Sequence, residues 1–369
     1  MSKISLNLNV WAIATDPIYI GTGGYSIGRV DNTIVRDPIT KIPKIPGTSF
    51  AGTWRYYIAL YLQSLFKDQY RIKRSERIDV DKISDLFIDD INNRNEQGFS
   101  EIKEWVYYEG NRYAAIKCAG QDESPQDEYS EACTKDTGHC GNCIVCKGFG
   151  FSKKDHSWQG MLSFSDLNIA LFPIYTRWGT KWISSGRILN EAGLLQEGDG
   201  FDEDNMIILN EGAYGPKEGW LNLGWLNLPY KTAKMNIDFN QINSLFNIKE
   251  KDICIVPDKL ISQIINSSLE VRTSVSIDPI TGAAKDGALF TSEAIPRATV
   301  FYGTVRIYDK SMFKGIEIKI NDSYAKINDL PTVKQLTLAL KSTAGFYETL
   351  GIGGMTTRGF GRLKVLLNN

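Results

Sequence analysis

An α+β fold is predicted for this 369-residue chain by three observations. Apolar residues alternate in the manner of strands near both ends, two segments have helical periodicity, and long polar stretches separate them. With those stretches set aside the order is strand, helix, strand, strand, helix, strand. That is the ferredoxin-like or RNA-recognition-motif-like arrangement on an antiparallel sheet. A hydrophobic content of 42% over this length suffices for a sizeable core.

Residues 4–14 (ISLNLNVWAIA) alternate and carry β-favouring side chains, which predicts the first strand. A glycine-rich turn, GTGGYSIG at 21–28, follows. Three prolines in DPITKIPKIPG forbid a regular element, after which Thr48 or Ser49 caps a helix running to about residue 66. Residues 78–156 are polar, acidic and cysteine-bearing, and read as an insertion before a strand at 160–169. Residues 177–265 are loop-rich, with EGDGFDEDN and EGAYGPKEG as turn clusters. LEVRTSVSIDPITGAAKDGALF predicts a hairpin turning at 278–282, and ATVFYGTVRIYD a strand at 298–309. A helix over 331–349 opens on a proline; GIGGMTTRGFG is a second glycine loop, and GRLKVLL closes as a strand. The expected division is therefore a core made of 1–77, 157–176 and 297–369, interrupted by 78–156 and by 177–296, which includes the hairpin at 268–290.

Lys and Arg number 42 against 43 Asp and Glu, so a polyanion partner requires segregated charge. Such segregation exists: Arg55, Lys67, Arg71, Lys73, Arg74 and Arg77 crowd residues 53–77, and the last 19 residues hold three cations and no acid. Acidic tracts at 79–104 and 122–136 offset them. No apolar run reaches membrane-spanning length and the N-terminus lacks a secretory pattern, so a cytoplasmic protein without a membrane partner is expected.

Cys133, Cys140, Cys143 and Cys146 fall within fourteen residues, and two overlapping CxxC turns suit a tetrahedral structural zinc ion. Cys133 is the first choice for the fourth ligand, His139 the second, and Cys118 remains open. Neither glycine loop completes GxGxxG or a P-loop, so mononucleotide binding is set aside. Loops of this kind bring backbone N–H groups close to phosphate, with Arg358, Arg362 and Lys364 beside the second. Two histidines leave little material for a histidine-dependent ribonuclease or a triad hydrolase. Asp31 and Asp37 lie in irregular backbone between the first glycine loop and the PxxPG turn.

Four ordered segments resemble the RAMP proteins of type III CRISPR effector complexes, specifically the backbone subunit of Csm and Cmr assemblies. They are IGTGGYSIGRVDNTIVRDPITKIPKIPGTSF, GNCIVCKGFG with GMLSFSDLNI, EVRTSVSIDPITGAAKDGALF and LGIGGMTTRGFGRLKV. LFPIYTRWGT and GALFTSEAIP lean towards the Cmr version, and DNTIVRDPIT and TTRGFGR towards Csm.

The resemblance implies a palm carrying a zinc-bearing insertion and a thumb hairpin. It implies Asp31 as the catalytic residue, acting with magnesium or another divalent ion on target RNA paired to a guide RNA. The 2′-hydroxyl would attack the adjacent phosphate, with Asp31 promoting proton removal or orienting the nucleophile, and metal or Arg36 offsetting charge. It further implies RNA contacts at Gly23, Gly24, Arg36, Gly47, Ser49, Arg55, Gly353, Gly354, Thr357, Arg358 and Gly359, with Ile280 at the wedge tip of the thumb. Other copies of the chain and other effector subunits are the implied protein partners. Ala51 stands where relatives commonly carry lysine, which removes one expected phosphate contact. The alternatives are a non-catalytic guide-binding scaffold, a precursor-RNA processing endonuclease and, remotely, a zinc-dependent metabolic enzyme.

Overall fold

The computed structural model describes residues 4–23, 30–65, 105, 116–120, 139, 141, 143–153, 156–195, 206–212, 215–238, 242, 248–313, 318–320, 323–325 and 330–368. Gly24, Cys133 and Cys140 lie outside the described residues. The fold is mixed α+β, dominated by one large sheet of parallel and antiparallel strands. Among the described residues no helix is long and apolar enough to cross a membrane.

Strand β1 (Ser5–Ala14) is followed by the short β2 (Lys44–Ile45) and helix α1 (Gly47–Leu65). Helix α2 (Ile144–Phe149) leads into the small β3 (Phe151–Lys153) and β4 (His156–Trp158) hairpin, then β5 (Leu162–Phe164) and β6 (Leu167–Thr176). Next come β7 (Gly179–Ser184), α3 (Gly186–Glu191), β8 (Ile207–Asn210), β9 (Glu218–Leu223), β10 (Leu226–Ala233) and β11 (Ile253–Ile255). Helix α4 (Asp258–Ser267) precedes the hairpin β12 (Glu270–Ile277) and β13 (Ala284–Ala294). The chain ends with β14 (Val300–Tyr308), the pair β15 (Ile318–Ile320) and β16 (Ser323–Ala325), α5 (Val333–Thr343), α6 (Phe346–Thr349) and β17 (Leu363–Asn368).

The main sheet runs β17-β1-β14-β6-β7-β11-β8-β10-β9, with β2 also on β6 and β5 also on β14. Its first part is antiparallel throughout: β1 lies between β14 (Ser5 opposite Tyr308, Ile13 opposite Val300) and β17 (Asn9 opposite Asn368). Alternation along β1 sends Leu8, Val10 and Ala12 into a core under α1 and α5, and Trp11 into a second core on the opposite face. Helix α1 buries Phe50, Trp54, Tyr57, Ile58, Leu62 and Leu65, which recur at helical spacing. Trp54 donates its indole N–H to Thr343 Oγ1 of α5 at 2.9 Å.

Three sequence expectations are corrected. The stretch 177–265 is not mainly loop: β7 to β11 extend the same sheet, with parallel pairs β8·β10 and β7·β11. These strands are three to eight residues long and broken by turn clusters, so their alternation is too brief to register. Helix α4 was hidden because its isoleucines and serines are weak helix formers, yet Ile261, Ile264 and Ile265 bury one stripe. In the last helical segment the cap is Thr332, in a capping box with Gln335, rather than Pro331; the helix stops at Thr343 and resumes at Phe346.

The second core also covers the sheet face on which Trp11 and Tyr302 are register partners. Trp11 is buried, and the Tyr302 hydroxyl donates to Glu191 Oε2 at 3.1 Å. Burial pushes the Tyr302 phenol above its ordinary range. The two aromatics are therefore used in packing rather than presented as an open stacking platform.

Candidate nucleic-acid interface and cysteine centre

The segment after β1 joins three distant motifs. Ile18 exchanges backbone hydrogen bonds with Ile295 at the end of the hairpin, and Ile20 accepts from Val35 N–H. Tyr19 accepts from Gly354 N–H and Pro17 from Gly361 N–H, both in the second glycine loop. Gly353 (φ +81°) must be glycine, because a Cβ there would collide with the Tyr19 carbonyl oxygen. The hairpin root clamps the same loop: Arg272 donates to Gly359 O at 3.2 Å and lies over the Phe360 ring at 4.7 Å. Thr357, Arg358 and Gly359 stay exposed.

Asp31 sits on this frame. Its Oδ2 accepts from Thr291 N–H (2.7 Å) and Thr291 Oγ1–H (2.9 Å), while its own N–H donates to Thr291 Oγ1 (3.1 Å). Those Thr291 bonds hold the carboxyl of Asp31 below its ordinary range, although the side chain is exposed. Asn32 continues the contact along β13, its N–H donating to Thr291 O and its carbonyl accepting from Glu293 N–H. The catalytic-loop candidate is thus laced to the hairpin like a short extra strand.

Arg36 is built into the frame. It donates to Glu293 Oε2 (2.6 Å), Asn266 Oδ1 (2.7 Å) and Ile34 O (2.9 Å), which ties loop, hairpin and α4 together. Gly47 is buried at the start of α1, and its N–H is capped by Asp166 Oδ1 at 2.7 Å; Asp166 Oδ2 pairs with Lys44 at 2.6 Å. Ser49, two residues further on, is half-buried. Gly23 (φ +79°) is exposed with open space around it, and Ile280 is 93% exposed at the hairpin tip.

Lys44 also pairs with Asp37 at 3.2 Å, and the N–H groups of Ile39 and Thr40 point at the Asp37 carboxylate. Led by the Thr40 N–H bond, these contacts hold Asp37 down at about 2. Because its folded pKa is depressed, its stabilisation is complete above the ordinary value of 3.8 and fades as pH falls towards 2. The backbone amides of Ile39 and Thr40 are expected to stay protected from exchange at pH 4 and to lose protection near pH 2. Equal protection at both pH values would contradict this.

Arg55 is placed elsewhere. From α1 it donates to Cys118 O at 2.8 Å and lies 2.9 Å from His139 Nδ1, facing a centre in which Cys118, Cys143 and Cys146 are buried with their sulfurs within 4.8 Å of one another. Cys143 caps α2, its Sγ accepting from Cys146 N–H at 3.5 Å, and His139 Nδ1 is 3.9 Å from Cys146 Sγ. The group can hold a metal ion, and it includes Cys118, which the short-range spacing ranked last. Three soft thiols with a nearby imidazole match the donor set of structural zinc.

Thr291, Glu293, Asn266, Tyr19 and Arg272 are functional-frame residues that sequence reasoning missed. The available signal was the spacing of Thr291 and Glu293, which places both on one face of β13.

A model of the RAMP superfamily matches residues 12–364. The chain belongs to the RAMP superfamily. It is 25% identical over 237 residues, 58% of its own length and 72% of the relative's, to the CRISPR system Cmr endoribonuclease Cmr4 of Pyrococcus furiosus. Among solved structures, the RAMP fold described above is similar to that in a cryo-EM structure of Type III-B Cmr-beta bound to cognate target RNA (TM-score 0.51, 13% identity, 98% of this chain and 97% of that one). It is also similar to a crystal structure of Cmr4 (TM-score 0.50, 16% identity, 99% of each chain).

Proposed function

We propose that this RAMP protein is a guide-RNA-binding backbone subunit of a type III CRISPR interference complex, and that it cuts guide-paired target RNA at regular intervals with Asp31. The observation that carries the reading is the pair of hydrogen bonds that Asp31 Oδ2 accepts from Thr291 at the root of an exposed hairpin with an apolar tip. That arrangement couples a carboxylate to a device that can part stacked bases. In this reading the antiparallel part of the sheet is a ferredoxin-like palm, β12–β13 is the thumb and the cysteine centre belongs to a zinc-bearing insertion. Guide RNA, target RNA, further copies of the chain and other effector subunits are its partners, and the second glycine loop, with exposed Thr357 and Arg358, meets phosphate.

A carboxylate held below its ordinary pKa is ionised at neutral pH and is a weak proton acceptor. Asp31 therefore acts chiefly by orienting the target 2′-hydroxyl towards the adjacent phosphate. The 2′-oxygen bonds to phosphorus as its proton passes to solvent water, and the P–O5′ bond breaks as the 5′-oxygen takes a proton from water, leaving a 2′,3′-cyclic phosphate and a 5′-hydroxyl. Asp31 Oδ1, the oxygen not bonded to Thr291, is the hard donor that would hold magnesium, whose chemistry is to offset phosphate charge. Arg36 supports the loop rather than the phosphate, because its guanidinium is committed to Glu293, Asn266 and Ile34.

Cleavage of target RNA carrying one 2′-deoxynucleotide, moved a position at a time, tests the reaction. Loss of one cut whenever the deoxy sugar occupies a scissile position is expected, and cutting at a deoxy position would contradict it. For the cysteine centre we assign Cys118, Cys143 and Cys146 as zinc ligands, with His139 the nearest described fourth donor. Cys118→Ser is expected to lower zinc to well below one ion per chain by elemental analysis. Undiminished zinc in that variant would return the site to the 133–146 cluster alone.

A further inference from the structure

The tetrapeptide Asp-Pro-Ile-Thr occurs twice, at 37–40 and at 278–281. Both copies form the same turn. In each, the aspartate Oδ1 accepts from the N–H of the isoleucine and of the threonine: 3.0 and 2.8 Å from Ile39 and Thr40, 2.7 and 3.2 Å from Ile280 and Thr281. Each aspartate carbonyl accepts from the residue four places on, Lys41 or Gly282, and each aspartate N–H donates to the residue after that, Ile42 or Ala283. The fifth residue is left-handed in both, Lys41 at φ 60° and Gly282 at φ 66°. Lys41 holds this conformation although a side chain disfavours it. The consequence is the same twice: Ile39 is 87% and Ile280 93% exposed, the two most exposed large hydrophobic residues described.

The two turns share one support. Asn266 donates to Lys41 O at 3.0 Å and accepts from Arg36, which pairs with Glu293 on β13. Passing along β13 from its root, Glu293 anchors the turn at 37–41, Thr291 holds Asp31, and the far end reaches Ile280. Asp31 and the turn at 37–41 are thus both tied near the root of β13, and Ile280 lies at its far end. The Asp37 carboxylate is turned inward onto amides and Lys44, so the turn presents an apolar tip beside exposed Lys41 and no outward carboxylate. An isoleucine on a rigid turn, with a cation beside it and no exposed anion, suits insertion between stacked bases of a polyanion.

We propose that the turn at 37–41 is a second wedge, which inserts Ile39 into the same guide-target RNA duplex that Ile280 enters. The two would part the stack at separate places along the duplex, Ile39 near the root of the hairpin and Ile280 at its far end. The inference rests on reading the hairpin tip as a wedge.

The test uses the full-length protein, assembled on guide RNA paired to target RNA with 2-aminopurine at successive target positions, whose fluorescence rises when the base unstacks. Ile39→Asp and Ile280→Asp alter side chains that pack against little, so both are expected to fold, with Ile39→Leu as the conservative control. The unmodified protein is expected to give two unstacked positions per subunit. Ile39→Asp should lose one of them and Ile280→Asp the other, while Ile39→Leu keeps both. Loss with Ile280→Asp but none with Ile39→Asp would overturn the second wedge and leave the hairpin reading intact. Loss with Ile39→Asp alone would uphold this wedge and overturn the hairpin reading. If neither variant changes the pattern, both fail. Unchanged unstacking with reduced self-association of Ile39→Asp by light scattering would make the turn a contact between copies instead.

Discussion

Gly353→Ala is expected to cost about 4 kcal/mol of stability, at the upper end for one substitution. Two penalties add at this position. The backbone is left-handed (φ +81°), which a side chain resists, and the new Cβ would meet the Tyr19 carbonyl oxygen, a backbone atom that cannot swing aside. Tyr19 is itself fixed by Gly354 N–H and by its neighbours' bonds to Ile295 and Val35, so relief requires the glycine loop to leave the frame. RNA binding should weaken together with the urea midpoint. Gly23→Ala supplies the control: it has the same left-handed backbone (φ +79°) but open space around the Cβ, so about 1 kcal/mol is expected. Equal midpoints for the two variants would show that the contact with Tyr19 does not hold the loop.

How much of this was legible in the sequence depended on range. Helix α1, the first and last strands, β14 and the hairpin with its turn at 278–282 follow from periodicity and punctuation, and the structure places them within a few residues of expectation. The strands β7 to β11 were not legible, since each is stabilised by neighbours in the sheet rather than by a pattern of its own. The same limit applies to the site. Asp31 could be singled out by its loop and by resemblance, but its partner Thr291 lies 260 positions away, at a distance no local motif spans. The resemblance implies an RNA contact at Arg55, and no local pattern shows that its side chain on α1 also reaches Cys118 O and His139. Cys118 ranked last among the ligands because spacing alone favours neighbours, and only the fold carries it to Cys143 and Cys146.

Asp31→Ala is expected to slow target cleavage by about 10²- to 10⁴-fold, the range for one positioned proton-handling or orienting group. The carboxylate is exposed and the loop keeps the Asn32 backbone bonds to Thr291 and Glu293, so folding and RNA binding should be retained. Thr291→Val removes one of the two bonds to Oδ2 and leaves the backbone N–H bond, so its carboxyl should move back towards the ordinary range with a smaller loss of rate.

The most direct measurement is single-turnover cleavage of an end-labelled, guide-complementary RNA with magnesium, comparing the unmodified assembly with Asp31→Ala at equal target occupancy. A ladder of regularly spaced products that disappears throughout in the variant is expected. An unchanged ladder with Asp31→Ala would make this RAMP protein a scaffold whose chemistry is supplied by another residue or another subunit.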